Sequence, residues 1–158
     1  MHARWIWTTG VALAATLTLS APAVSDENKN FVTHLTGEEQ VPPVETDAQG
    51  EAIFHVSKDG TTISFKLIVA NLEDVVAAHI HVAPAGKNGP IVVPLENGLV
   101  PGTSNGVLAE GTFTAADLTG PLAGQSLADL LVDVEAGNTY VNVHTTANPG
   151  GEIRGQID

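Results

Sequence analysis

The 158-residue sequence contains no cysteine. Disulfides, thiolate metal centres and cysteine nucleophiles are therefore excluded. Methionine occurs once, as the initiator, so a buried thioether ligand is excluded too. Basic residues are scarce: 6 Lys and Arg stand against 18 Asp and Glu, for a formal net charge of −12. Nucleic-acid binding and attachment to an acidic membrane surface both need clustered cations, and this chain does not supply them. Aromatics make up only 4% of the residues, so Val, Ile, Leu and Ala must fill most of any core. The one long apolar run lies near the start and is too short and too weakly flanked for a membrane span.

What is present points to one soluble domain. A hydrophobic content of 43% is enough for a core, and 16 Gly with 9 Pro suit many short strands joined by turns. The acid excess reads first as a solvated surface and second as an attraction for cations.

The amino terminus reads as an address. Residues 1–9, MHARWIWTT, carry Arg4 and no acid, and the apolar, small-residue run GVALAATLTLSAPA follows. Ala21-Pro22-Ala23 gives a small-x-small cleavage pattern, with Ala23-Val24-Ser25 as a second, and acids begin at Asp26 and Glu27. The pattern predicts a signal peptide over 1–25 and a periplasmic or secreted mature chain, 26–158, with no membrane span after cleavage.

The mature chain reads as strands. Alternation begins at 30–41, where Phe31, Thr33 and Leu35 share one face, and the Pro pair in VPPV (41–44) stops regular pairing. Further strands are predicted over 50–57, 61–72, 75–84, 89–96, 107–118, 139–147 and 152–158. Lys58-Asp59-Gly60 marks a hairpin, 97–106 (NGLVPGTSNG) a Gly/Pro/Asn loop, and Asn148-Pro149-Gly150-Gly151 a turn. Residues 126–137 carry the single helical pattern: Ser126 caps it, Leu127, Leu130, Leu131 and Val134 share a face, and Gly137 ends it. Seven or eight short strands with regular turns predict an all-β antiparallel sandwich with Greek-key connections and one short helix.

Three motifs resemble the CHRD domain family, the type first named from chordin. LTGEEQVPPVETDAQGEAIFHV resembles the opening of such domains, AAHIHVAPAGKNGPIVVPL their central His-x-His segment, and YVNVHTTANPGGEIRGQI their closing signature. The resemblance covers about 31–157. It implies an extracytoplasmic, immunoglobulin-like β-sandwich and no settled biochemical activity. The family's motifs match His79, His81 and His144, and carry nothing over to His34 or His55.

The residues themselves point to the same three histidines. His79 and His81 stand at i and i+2 on a strand, hence on one face and about 6.6 Å apart along it. Ala78, Ile80 and Val82 take the opposite, core-facing side. In the segment 139–146, Val141 and Val143 form the buried set, and Tyr140, Asn142 and His144 the other. If the two segments are neighbours, about 4.8 Å apart, His144 supplies a third imidazole. His34, facing away from Phe31 and Leu35, is a fourth candidate ligand; His55 is a weaker one, and reads equally as a half-exposed cross-strand partner. Glu152 is a candidate second-shell acceptor for a ligating ring, although a cross-strand ion pair with Arg154 is the plainer expectation.

Three neutral imidazoles suit Cu(II), Zn(II), Ni(II) and Fe(II), and copper binds such nitrogen donors most tightly. An oxidising compartment free of thiols also suits Cu(II). The leading expectation is a copper-binding module for buffering or tolerance, with zinc as the alternative ion. Behind it stand a structural domain that binds a protein partner and uses no metal, and a redox enzyme like copper–zinc superoxide dismutase. That enzyme's disulfide has no counterpart here, and no bridging histidine beside a zinc loop is evident. Gly86-Lys87-Asn88-Gly89 lacks Walker spacing and reads as a turn. Glu38-Glu39 reads as solvated acid.

Overall fold

A computed structural model describes residues 29–157; the predicted signal peptide, 1–25, lies outside the described residues. Six strands form one wholly antiparallel sheet: β1 (Asn30–Thr36), β2 (Gln49–Val56), β3 (Ile63–Val82), β4 (Ile91–Phe113), β5 (Thr139–Thr145) and β6 (Ile153–Gln156). Two 3-10 turns, Ala115–Asp117 and Gly120–Leu122, lead to one helix, α1 (Leu127–Glu135). The described residues are thus all-β and antiparallel with a single short α-helix, as their alternation predicts. Among the described residues no helix is long and apolar enough to cross a membrane.

The strand order is β2-β1-β6-β5-β3-β4, and an additional β2–β3 pairing closes five of the strands into a barrel-like ring with β4 outside it. The sheet closes in this way because β3 is 20 residues long and pairs with a different strand in each half. Its first half pairs with β2 from Ile63 to Ala70, and its second with β5 from Val75 to Val82. Between them the backbone bends through Asn71 (φ 59°) and Asp74 (φ 48°), both non-glycine residues in the left-handed region. Asn and Asp tolerate that region better than other side chains because they bond local backbone. Here the Asn71 amide donates to Asn105 Oδ1 at 3.0 Å, and Asp74 Oδ1 accepts from the Gly102 amide at 2.8 Å. The strands expected at 61–72 and 75–84 are therefore one bent strand.

The loop expected at 97–106 is likewise strand, part of the 23-residue β4. Its glycines and prolines are taken up by repeated register shifts against β3. Among the described residues β4 pairs with β3 alone, so Pro94 and Pro101 lie on an edge, where a missing N–H leaves no central ladder broken. Glycine and proline in this segment mark a bulged edge ribbon instead of an excursion.

The other elements form for local reasons legible in the chain. The turn after β2 is held by Asp59, whose carboxylate accepts from Ser57 Oγ, Thr61 Oγ1 and the Thr61 amide at 2.7–3.0 Å. Helix α1 begins in a capping box: Ser126 Oγ accepts from the Asp129 amide, and Asp129 Oδ2 accepts from the Ser126 amide at 2.9 Å. It ends at Gly137 (φ 67°), where the Gly137 amide bonds Val134 O and the Asn138 amide bonds Asp133 O. Leu127, Leu130 and Val134 then bury into the core beside Phe54, Ile63 and Ile80.

Gly155 marks the seam where β6 meets β1. A Cβ there would collide with the His34 carbonyl and Thr33 Oγ1. Gly155→Ala should cost about 2–3 kcal/mol, as overpacking does, whereas Ser126→Ala should cost about 1 kcal/mol through the lost cap. Urea unfolding of both variants checks this; a Gly155→Ala cost no greater than that of Ser126→Ala would contradict the tight seam.

Candidate metal centre

The β3–β5 register determines where the predicted ligands fall. Ala77 is paired with His144, His79 with Asn142 and His81 with Tyr140. Residues two apart on a strand share a face, so His79, His81 and His144 lie on one side of adjacent strands. On β3 the intervening Ala78 and Ile80 are 0% and 2% exposed, inside the core. The ring centroids are 5.7 Å apart for His79–His81, 5.1 Å for His79–His144 and 5.9 Å for His81–His144. One ligand nitrogen from each comes within 4.8 Å of the others. An ion bound at about 2.0–2.1 Å to three imidazoles needs nitrogens about 3.4 Å apart. Small ring rotations therefore suffice to close the site.

Two of the three rings are oriented by their other nitrogen. His81 Nδ1 lies 2.9 Å from the Gly89 carbonyl and His144 Nδ1 3.0 Å from the Pro149 carbonyl. A carbonyl only accepts, so both Nδ1 atoms carry the proton and both Nε2 atoms keep a free lone pair. Asn97 on β4 lies beside the His79 ring and works weakly against the lowering of its pKa. The atoms left over are His79 Nδ1, His81 Nε2 and His144 Nε2, all three buried without a hydrogen-bond partner. A buried unpaired acceptor costs about 1–3 kcal/mol; here three of them are gathered at one place.

The site is more sheltered than an outward strand face. His81 is only 7% exposed, and its neighbours Tyr140 and Asn142 are 1% and 3% exposed where a solvated set was expected. The cover comes from loops distant in sequence. Gln40 donates to Asn142 Oδ1 at 2.7 Å, and Asn142 Nδ2 donates to the Gly150 carbonyl. Gly89 closes over the other end: its amide donates to Tyr140 Oη at 3.0 Å while its carbonyl holds His81. A Cβ on Gly89 would strike the Val82 carbonyl, so the close return of this loop requires glycine. The His81 ring stacks on Tyr140 at 4.8 Å, and the Arg154 guanidinium lies 3.5 Å from the centre of that same tyrosine ring.

Glu152 and Arg154 depart from their expected roles. Glu152 touches no imidazole; it accepts from Thr46 Oγ1 (2.8 Å), Thr145 Oγ1 (2.6 Å) and Asn148 Nδ2 (3.1 Å). It thereby ties down the 145–151 turn, whose Pro149 carbonyl orients His144. The backbone carbonyls of Gly89 and Pro149 take the acceptor role proposed for Glu152. Arg154 does not pair with Glu152 either. It is 1% exposed and donates to Asn88 Oδ1 and Gln156 Oε1, both at 3.3 Å. Carbonyls carry no sequence signature, whereas Gly89 does: a glycine eight residues beyond a His-x-His was the available clue.

The two other histidines stand apart. His34 is exposed on β1, opposite Glu51, and His55 is exposed on β2 with Nδ1 2.6 Å from Asn30 Oδ1. The cluster among the described residues contains neither.

A family model described as the CHRD domain matches residues 31–157, nearly the whole of the described chain. Neither the curated proteins nor the solved structures compared with the chain match it.

Burial holds all three rings neutral. It lowers His79 from 6.5 to about 4, with further lowering from the nearby His144 and His81. It lowers His81 against the opposing Gly89 hydrogen bond, and His144 against that of Pro149. A folded-state pKa below the unfolded value means that the unfolded chain takes up protons first. The metal-free fold should hold its stability above about pH 6.5 and lose it progressively as pH falls towards 4. Denaturant midpoints against pH check the slope. Nitrogen-15 shifts of His81 and His144 should report a proton on Nδ1 at neutral pH; a proton on Nε2 of either ring would contradict the assignment.

Proposed function

This chain belongs to the CHRD domain family, and on that premise we propose that it is an extracytoplasmic metal-binding protein that takes up one copper ion on His79, His81 and His144. The observation that carries this reading is the meeting of three buried, unpartnered imidazole nitrogens, two of them on rings fixed through the other nitrogen. Neutral imidazole is a copper, zinc, nickel and iron(II) ligand, and copper stands highest in affinity among the available divalent ions for such donors. Zinc is the alternative ion. Carbonyl-anchored rings are pre-oriented, which lowers the ordering cost of binding.

The leader-like pattern of residues 1–25 supports a periplasmic or secreted location. The excess of 12 negative charges raises the local concentration of cations around the chain. Buffering or tolerance fits a sheltered site built of three neutral donors. For the fold, we keep the immunoglobulin-like Greek-key sandwich as the family's expectation. Its support is that the two halves of the β3–β4 hairpin take different further neighbours, β2 and β5.

Equilibrium dialysis of metal-free protein against copper should show uptake of one ion per chain. Replacing His79, His81 and His144 together by Ala should abolish it, and His34→Ala or His55→Ala should leave it intact. Free ion at a hundred times Kd should stabilise the fold by about 2.7 kcal/mol and raise Tm by roughly 10 °C. Undiminished uptake by the triple variant would refute the assignment.

A further inference from the structure

The charge of the ion follows from what surrounds the three nitrogens. Among the described residues no carboxylate joins the cluster of His79, His81 and His144. All three rings are neutral donors, so a bound ion keeps its full charge. A positive charge is stacked against the site: Arg154 lies over the Tyr140 ring, which itself stacks on His81, with Glu39 as an acid that Arg154 feels. The free nitrogens are closed to solvent.

Resting on the metal-binding reading above, we infer that the site selects a monovalent soft cation, cuprous copper, over Cu(II) and Zn(II). Two physical arguments agree. The cost of removing an ion from water grows with the square of its charge, so a divalent ion costs about four times as much to bury as a monovalent one. Here no carboxylate among the described residues joins the donors, so direct ligation by an anion does not offset that cost. Coordination number points the same way. Zn(II) on three histidines completes its shell with water in a fourth position, and Cu(II) takes four or more ligands. Cu(I) is satisfied by three imidazoles in a plane. A shielded set of three nitrogens completes the shell of Cu(I) and leaves either divalent ion short of a ligand. This differs from the Cu(II) preference that the absence of thiols and the affinity order of divalent ions suggest, because the burial of the site was not legible in the sequence.

Binding alone is proposed, with no change of oxidation state. The test uses the metal-free chain and three ions. Under anaerobic conditions, Cu(I) is competed against a chromophoric Cu(I) chelator; Cu(II) and Zn(II) are competed in parallel against chelators of known affinity. Cu(I) should bind one per chain and at least a hundredfold tighter than either divalent ion. A second arm is Ala77→Asp. Ala77 is half-buried, two residues before His79 on the same face and paired with His144, so a carboxylate there adds the missing anion. In A77D the gap between Cu(I) and Zn(II) should narrow at least tenfold, with far-ultraviolet circular dichroism confirming the fold. If A77D fails to fold, the three-ion comparison on the unaltered chain decides. A divalent ion bound as tightly as Cu(I) would overturn the inference and leave metal uptake standing. An unchanged ratio in folded A77D would also overturn it. Binding of none of the three ions would overturn both.

Discussion

Antiparallel pairing of β3 with β5 is the constraint on which the rest depends. It sets Ala77 against His144 and His81 against Tyr140, and a shift of one residue would send His144 into the core and a valine to the site. The register is locked from the inside. Ala78, Val141 and Val143 are fully buried, Ile80 nearly so, and any slip would expose them. The hydrophobic core therefore positions the imidazoles, although none of its side chains is a ligand.

A second layer holds the rings once the strands have placed them. The return loop at Gly89 and the turn at Pro149 each offer a carbonyl, and each is tied elsewhere: Gly89 to the Tyr140 hydroxyl, the Pro149 turn to Glu152. These groups decide which nitrogen carries a proton and which is free. Tyr140 links the two layers, since its ring contacts His81 and Arg154 while its hydroxyl meets Gly89. Removing solvent from such a set makes each electrostatic contribution larger than it would be on an open strand face.

Much of this was legible from spacing alone. Alternation identified the core-facing sides of β1, β3 and β5. Ser126 and Gly137 bounded α1 through caps that act within one turn. The His-x-His and His144 came together because both segments obey the same period of two. What was not legible depends on contacts between distant segments. Asn71 and Asp74 bend β3 instead of ending it, because Asn105 and Gly102 on β4 bond to them. Residues 97–106 read as a loop by composition, yet edge position lets glycine and proline remain in a strand. Tyr140 and Asn142 alternate like a solvated set and are buried, because Gln40, Gly89 and Gly150 cover them from outside. Glu152 and Arg154, on one strand face by spacing, take separate partners: Thr46, Thr145 and Asn148 for the first, Asn88 and Gln156 for the second.

X-ray absorption of the copper-loaded protein examines the central claim at the ion itself. The account predicts a shell of three nitrogen donors at roughly 2.0 Å, with the outer-ring scattering of three imidazoles. A shell dominated by oxygen, or one with fewer than two imidazoles, would contradict it.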